Sequence, residues 1–243
     1  MNDETEAMTP WELGALLGEV VADHLDAERE PYAGVSRWHA SDVKGCWRAR
    51  WYKAQGIEPD TLPSAPGTLI LHTGNLIHGA VQGALAALGA EVEVGWRDEE
   101  ISLGGRADAV VREPIDGLVA EEAVPLCIEI KTMSDYGFRK AGRAGGPDDR
   151  HLAQMLLEAH YTEAVWGWVV AVSRDSGKLL AWEFPVHEGT ARREREGIIE
   201  HDTPVRPARR IPEVGPVADP MAPDAPWQCR YCAFRTRCAK DGA

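Results

Sequence analysis

The chain has 243 residues, of which 44% are hydrophobic and 27% charged, so it can form a substantial core and is not expected to be disordered. No apolar run approaches the length of a membrane span, and the acidic first residues lack a signal-peptide profile, so we expect a cytoplasmic protein with no membrane partner. The formal net charge of −13 argues against tight non-specific DNA binding, because phosphate-binding surfaces are normally basic.

The first predicted element is an amphipathic helix. Residues 9–12 have the form of a capping box with proline at the first helical position, and the helix is expected to end near residues 29–31. Its apolar stripe consists of Leu13, Leu16, Leu17, Val20, Val21 and Leu25. We assign residues 1–35 to an N-terminal helical extension that serves packing.

Two more helices are predicted before the sheet. One covers residues 41–56 and turns Cys46 inward, and the other covers about residues 69–88 and carries His78. A single cysteine or histidine on an apolar face is more often a core residue than a ligand. Neither residue indicates a site by itself.

Short strands follow, and two of them carry one carboxylate each, Asp108 and Glu129. The predicted strands cover residues 91–96, 100–103, 107–111 and 126–130, with a turn signal at Gly104-Gly105. Lys131 leaves the sheet on the same face as Glu129. If the two acidic strands pair, their carboxylates lie close together, and a divalent cation can offset the repulsion between them. Such a cation, together with a lysine, could support metal-assisted hydrolysis of a phosphodiester. The alternative is that these are ordinary exposed charges.

Residues 132–149 are predicted as a glycine-rich basic loop, either a substrate clamp or a mobile surface loop. The next helix, capped by Asp148 or Asp149, presents a polar row that includes Gln154. This row either faces substrate or is a solvated helix face. The candidate DNA contacts on these two segments are Arg139, Lys140, Arg143, His151 and Tyr161.

A hairpin over residues 165–173 and 178–184 comes next, and a short helix with three arginines follows it. Residues 203–226 are rich in proline and are predicted to form an extended connector. The connector separates the predicted core from the last residues of the chain.

Three cysteines lie close together in the tail, at C-x2-C-x5-C spacing. They are Cys229, Cys232 and Cys238, and this spacing in a short segment indicates a metal site that needs a fourth ligand. Cys46 and Cys127 are the available thiols, and we choose Cys46. Zinc and an iron–sulfur cluster both suit four thiolates.

In this order, the motifs resemble those of the RecB-like branch of the PD-(D/E)XK nucleases, most closely the CRISPR-associated "Cas-four" iron–sulfur exonucleases. The resemblance covers residues 36–240 and rests on Gly74–His78, Gly105–Asp108, Glu129–Lys131, Gln154 and the cysteine pattern. Two positions depart from the family pattern. Ala107 replaces a proline, and Glu158 stands where a tyrosine usually follows the glutamine by four residues, the tyrosine here being Tyr161.

The resemblance implies an α/β fold with a restriction-endonuclease-like mixed central sheet flanked by helices. The nuclease core would span residues 36–202, and the cysteine-rich segment 227–243 would pack on an N-terminal helix. A four-iron, four-sulfur cluster would be held by Cys46, Cys229, Cys232 and Cys238.

The resemblance also implies degradation of DNA ends, often of single strands. Mg²⁺ or Mn²⁺ would be held by His78, Asp108, Glu129 and the Ile130 carbonyl. Lys131 would orient or activate the attacking water, and Gln154 would contact substrate or the surroundings of the lysine.

In a second hypothesis the protein has the same fold and the same cluster but does not catalyse a reaction. The protein would then be an idle or partner-dependent DNA-end-binding module, for example in CRISPR spacer acquisition or recombination. The acidic net charge favours this alternative, whereas the intact set of clustered acids and lysine favours the enzyme. A zinc-stapled metabolic hydrolase is a third alternative, but nothing in the sequence resembles a small-molecule pocket.

Overall fold

The computed structural model describes residues 10–27, 37–201, 207, 210–211 and 214–242. The helices are α1 (Pro10–Ala27), α2 (Trp47–Ala54), α3 (Ala65–Ala87), α4 (Asp135–Ala144), α5 (Asp149–Tyr161), α6 (Glu188–His201), α7 (Trp227–Arg230) and α8 (Arg235–Lys240). The strands are β1 (Trp38–His39), β2 (Glu91–Asp98), β3 (Leu103–Val111), β4 (Leu126–Met133), β5 (Trp166–Ser173), β6 (Leu179–Pro185), β7 (Arg210–Ile211) and β8 (Gly215–Pro216). Short 3₁₀ turns occur at Ala40–Asp42 and Glu121–Ala123.

The central sheet has six strands in the order β1-β3-β4-β5-β6, and β2 also pairs with β3. The β1–β3 and β4–β5 pairs are parallel, whereas β2–β3, β3–β4 and β5–β6 are antiparallel. This topology confirms the mixed α/β fold predicted from the sequence.

Helices cover both faces of this sheet. On one face, Ile77, Val81 and Leu85 of α3 pack on a core that includes Ile128 and Ile130 of β4. On the other face, α5 contributes its own buried residues to a core shared with β3, β4 and β5, namely Met155, Leu156 and Ala159. Fully burying an aliphatic side chain contributes about 1.5–3 kcal/mol, so these two cores fix both helices against the strands.

The prediction that residues 132–149 form a loop is wrong, because most of them form β4 and α4. The Ser134 side chain accepts a hydrogen bond from the Gly137 amide at 3.3 Å and caps α4, which ends at Gly145 in the left-handed conformation (φ 73°). Phe138 is buried and anchors the helix. The glycines and basic residues that indicated a loop lie on the exposed side and at the end of this helix.

The single helix predicted over residues 41–56 is also wrong. A 3₁₀ turn comes first, Lys44 adopts a positive φ of 53°, and α2 begins only after Cys46, which is its N-cap residue. The prediction that Cys46 shares an inward helix face with the tryptophans is therefore wrong. It lies beside the C-terminal tail instead.

Gly104 and Gly105 lie inside β3 and do not form the predicted turn before it. A Cβ atom at Gly105 would clash with the indole of Trp96 on the paired strand β2. The glycine is required by this close approach. The turn lies earlier, after β2, so the separate strand predicted over residues 100–103 is replaced by residues at the start of β3.

The tail packs on α2, as the resemblance predicts. Tyr52 is buried in a cluster with Phe234 and Cys238, and its hydroxyl donates to Asp241 at 2.7 Å. The predicted cap at Thr9, the helix stop at residues 29–31 and part of the connector 203–226 lie outside the described residues. Within the described ranges, no helix has both the length and the apolar character needed to cross a membrane.

Candidate active site

Strand β3 is paired along one edge by β2 and along the other by two different strands. β1 pairs with Leu103 and Gly104, whereas β4 pairs from Ala109 onward. The sheet therefore forks at residues 105–108, and Asp108 lies at this fork. A cleft of about 430 Å³ opens there, and we call it the central cleft. It is lined by His39, Asn75, His78, Gln82, Glu93, Arg106, Asp108 and Gln154.

Helix α3 brings His78 to the fork. The Nε2 atom of His78 lies 2.9 Å from Oδ2 of Asp108, and the same oxygen accepts a hydrogen bond from the Ile130 amide at 2.7 Å. The hydrogen bond to Asp108 raises the pKa of His78 against the opposing effect of burial, and the charges of Asp108 and Glu129 raise it further. Two of the predicted metal ligands are therefore in contact, and the backbone of a third adjoins them.

Glu93 of β2 completes a group that the sequence did not indicate. Within the part of the chain that the structure describes, His78, Glu93 and Asp108 are the one set of three His, Cys, Asp or Glu side chains whose ligand atoms all lie within 4.8 Å of one another. Glu93 has a φ of 53°, an uncommon conformation for a residue other than glycine. Its carboxylate accepts a hydrogen bond from Gln82 at 2.6 Å and is paired with Arg106 at 2.8 Å.

Glu129 and Lys131 lie on β4 and interact with side chains of α5. Glu129 is fully buried and is ion-paired with Lys131, although neither of its oxygens accepts a hydrogen bond of ordinary geometry within the described residues. The Lys131 ammonium donates to Oε1 of Gln154 at 3.2 Å, and the Gln154 amide donates to Glu158 at 3.0 Å. The predicted residues Glu129, Lys131 and Gln154 thus form one network.

Glu158 belongs to this network, and the sequence places it in the polar row of this helix and marks it as a departure from the family pattern. Burial, followed by the charge of Glu129, raises the pKa of Glu158 well above its usual range. Burial also raises the pKa of Glu129, although Lys131 opposes this effect. Burial is the largest single effect on the pKa of Lys131 and lowers it, but the charges of Glu129, Asp108 and Glu158 together with the hydrogen bond to Glu129 raise it above its ordinary value. The network therefore favours the charged form of Lys131 and the neutral form of Glu158.

The donor set fits a hard divalent cation. One imidazole and several carboxylates converge on an open cleft, and oxygen ligands with a single nitrogen suit Mg²⁺ or Mn²⁺. The buried Glu129 carboxylate, which lacks ordinary hydrogen bonds, lies beside the fork. Glu93 rather than Glu129 belongs to the three-ligand group with His78 and Asp108.

The predicted DNA contacts are not gathered at the cleft. Arg139, Lys140 and Arg143 lie on the exposed face of α4, where Arg139 donates to Asp135 at 2.7 Å. The Tyr161 hydroxyl donates to Asp98 at 2.6 Å, and its ring stacks on Trp96 at a centroid distance of 4.2 Å.

Through these contacts Tyr161 holds α5 against β2. His151 is half-buried near Lys131, and its pKa falls to about 4.

Four cysteines line one small cavity between α2 and the tail, namely Cys46, Cys229, Cys232 and Cys238. Cys127 is instead fully buried in the α5-facing core. Burial raises the pKa of Cys232 to about 11, which an amide hydrogen bond opposes and the charges of Cys46, Cys238 and Cys229 reinforce. A bound cation would remove this thiolate repulsion, so the donor set fits a thiolate-ligated metal or cluster.

No protein-family model matches the sequence, and no curated protein matches it. The crystal structure of SSO0001 is similar at a TM-score of 0.53 and 21% identity, over 94% of this chain and 97% of that chain. LHK-Exo, an alkaline exonuclease from Laribacter hongkongensis, is similar at a TM-score of 0.47 and 15% identity, over 74% of this chain and 90% of that chain. The structure of LHK-Exo in complex with dAMP is similar at a TM-score of 0.49 and 14% identity, over 70% of this chain and 87% of that chain.

The likeness to SSO0001 supports the mixed α/β fold along nearly the whole chain. At 21% identity it supports the fold alone. The likeness to LHK-Exo is looser and carries no argument about the site, whose function must be inferred from its own geometry.

Proposed function

We propose that this protein is a metal-dependent DNA exonuclease that hydrolyses phosphodiester bonds at DNA ends, in particular single-stranded ends. The observation that carries the proposal is the contact between His78 and Asp108 at the fork, next to the buried Glu129–Lys131 pair. A histidine and a carboxylate at 2.9 Å beside a charged lysine supply both metal ligands and a cation for the reacting phosphate.

Mg²⁺ or Mn²⁺, when bound, would polarise the phosphodiester and lower the pKa of the attacking water. In this proposal His78, Asp108, Glu129 and the Ile130 carbonyl hold the ion, and Glu93 supplies a further carboxylate at the same group. Lys131 donates hydrogen bonds to the attacking water or to the phosphate oxygens. Gln154 fixes the lysine by accepting a hydrogen bond from it, and Glu158 fixes Gln154 in turn by accepting from its amide.

For the cysteine site we propose a structural four-iron, four-sulfur cluster, with zinc as the alternative occupant. Four thiolates suit either occupant, and the resemblance of the cysteine pattern favours the iron–sulfur cluster. The iron, sulfide and zinc content of the purified protein decides between the two. The proposed role of the cluster is to fasten the tail beside the core.

Cleavage of end-labelled single- and double-stranded DNA tests the nuclease proposal. Asp108→Ala and Lys131→Ala are expected to lose activity by on the order of 100-fold or more, since each removes a group at the reacting centre. Asp116→Ala and Lys178→Ala, at exposed positions away from the cleft, are the matched controls and should cleave like the parent. Activity retained in either site variant, or in the presence of a chelator, would overturn the assigned site.

The proposed imidazole ligand, His78, also predicts which metal ion supports cleavage. Imidazole is softer than oxygen, so Mn²⁺ should support cleavage at least as well as Mg²⁺ when each is saturating. Greater activity with Mg²⁺ would count against His78 as a ligand.

The alternative function is an idle or partner-dependent DNA-end-binding module. The observation that favours it is that Glu129 is buried and stands outside the group of His78, Glu93 and Asp108. DNA binding without cleavage, under every metal condition in the same assay, would establish this alternative.

A further inference from the structure

A second cavity, of about 270 Å³, lies between the tail and the first turns of α2 and α5. We call it the tail groove. The cationic side chains that line it are Lys44, Arg50, Lys53 and Arg150. Two acids also line it, and both are engaged locally: Asp42 accepts from Lys53 at 3.1 Å, and Asp148 caps α5 by accepting from the Arg150 amide at 3.0 Å. The lining thus has four cationic side chains against two acidic ones on a chain of net charge −13, although Lys44 is paired with Glu194 at 3.4 Å and the thiols of Cys46 and Cys232 also lie at the groove.

Arg50 is the most informative of these cations. Its side chain lines the groove while only 7% of the residue is exposed, and its Nε atom has no hydrogen-bond partner among the described residues. An anion entering the groove would bond this buried Nε atom and offset the cost of burying the guanidinium.

Two aromatic side chains stand at the same groove. Tyr231 is 82% exposed and Trp227 is 48% exposed, both on the tail. The Arg150 guanidinium lies 5.7 Å from the centroid of the Trp227 ring. Exposed rings interleaved with cations are the pattern that binds unpaired bases together with their phosphates.

The groove adjoins the central cleft through α5. Arg150 lines the groove and Gln154 lines the cleft, four residues apart on one helix, which corresponds to about 6 Å along its axis. A strand whose end lies at the fork can therefore continue into the groove over roughly one nucleotide.

We propose that the tail groove holds the unpaired part of a DNA strand, with bases stacked on Tyr231 and Trp227 and a phosphate on Arg50. This inference rests on the proposed nuclease function and names the form of DNA that the enzyme grips. Inside a duplex each base face is covered by its neighbours, so apart from the outer face of a terminal pair only unpaired bases can stack on the two rings. The groove thus gives a physical basis for preferring single-stranded ends.

Binding is measured by fluorescence anisotropy with the full chain in a Lys131→Ala background, so that no DNA is consumed. The probes are a fluorescein-labelled oligothymidylate and a fluorescein-labelled blunt duplex of two separate complementary strands. Tyr231→Ala is expected to weaken binding of the single strand about tenfold, as expected for one lost stacking contact, and to leave the duplex unchanged. Tyr231→Phe retains the ring and should bind like the parent.

The two proposals fail separately. If Tyr231→Ala combined with Trp227→Ala binds the oligothymidylate within twofold of the parent, the groove proposal is overturned, whatever the cleavage assay gives. Absence of cleavage by the enzyme that retains Lys131 would overturn the nuclease function and leave the binding result standing. Because Tyr231 is highly exposed, its replacement is not expected to disturb folding, and unchanged thermal melting verifies this.

Discussion

The imidazole of His151 sits among cations at the start of α5. Burial is the largest cause of its lowered pKa, and the charges of Lys131 and Arg150 lower it further against the opposing effect of Asp148. With a pKa of about 4, the ring is neutral at physiological pH. As a predicted DNA contact it can therefore only hydrogen-bond to the nucleic acid and cannot form an ion pair with phosphate.

The same shift predicts a pH-dependent loss of stability. Between the ordinary pKa of 6.5 and the folded-state value of about 4, the unfolded chain takes up a proton that the folded chain does not. The free energy of unfolding should therefore fall as the pH drops through this window, by at most about 1.4 kcal/mol per pH unit from this residue. Urea denaturation of the parent and of His151→Gln at pH 7.5, 6.5, 5.5 and 4.5 measures it. The variant should show the shallower decline, and parallel curves would contradict the assignment.

Some site residues could be predicted from the sequence and others could not. His78, Asp108 and Lys131 were found because each stands in a local pattern of strand or helix spacing that resembles a known set. Glu93 was missed because its place beside His78 depends on a left-handed backbone at one strand residue. The sequence places Glu158 in a polar row that faces either substrate or solvent, but not next to Glu129, because that contact depends on how α5 packs on β4.

Helix α3 approaches β4 very closely just before it delivers His78. A Cβ atom at Gly74 would lie 2.8 Å from Oγ1 of Thr132, a distance that Cβ atoms essentially never show. Gly74 precedes His78 by four residues, about one helical turn, so it lies on the same face of α3. The glycine therefore sets the separation across which the imidazole reaches Asp108.

Gly74→Ala should displace α3 or Thr132 and reduce DNA cleavage by roughly tenfold, because small displacements of a metal ligand are amplified in the rate. Gly79→Ala on the same helix is the matched control, since a Cβ there meets nothing within 4 Å. The control should keep full activity and gain up to about 1 kcal/mol of stability from the better helix former. Measured kcat/KM and thermal melting decide, and equal activities in the two variants would contradict the argument.

At the element scale, the long periodic segments were predicted best. The predicted hairpin over residues 165–173 and 178–184 appears as β5 and β6 with boundaries shifted by one residue. Helix α4 was missed because its glycines and basic residues conceal a short helix anchored mainly by Phe138. The break between the 3₁₀ turn and α2 was missed because a positive φ at Lys44 has no reliable sequence signal outside glycine and asparagine.

Over the whole molecule, charge is distributed unevenly. The chain has a net charge of −13, whereas the cation of Lys131 is at the fork and those of Arg50 and Arg150 line the tail groove. The overall sign therefore opposes non-specific association with nucleic acid, while these cations remain available along the cleft and the groove. For the proposed nuclease we therefore expect DNA binding to depend on a free end or a partner.

Side-chain contacts hold the tail on the core independently of the proposed cysteine site. The buried Arg48 donates from Nη1 to the Gly242 carbonyl at 2.5 Å, and the rings of Tyr52 and Phe234 lie 5.4 Å apart. The proposed site would add a closure between Cys46 and Cys238, which are 192 positions apart in the sequence. Closing so long a loop carries a large entropic cost, which a bound group would have to offset by several kcal/mol.

Removing one thiol tests this fastening. Cys46→Ala should lose iron and sulfide, lower the melting temperature by on the order of 10 °C, and expose the tail to limited proteolysis, because the loop closure is lost. Cys127→Ala is the matched control, since that thiol is buried in the α5-facing core away from the cavity. It should lose some stability from the smaller side chain but retain its iron and sulfide content. If Cys127→Ala loses the iron and Cys46→Ala keeps it, the fourth ligand is the core thiol. Zinc without sulfide in the parent would establish the alternative occupant.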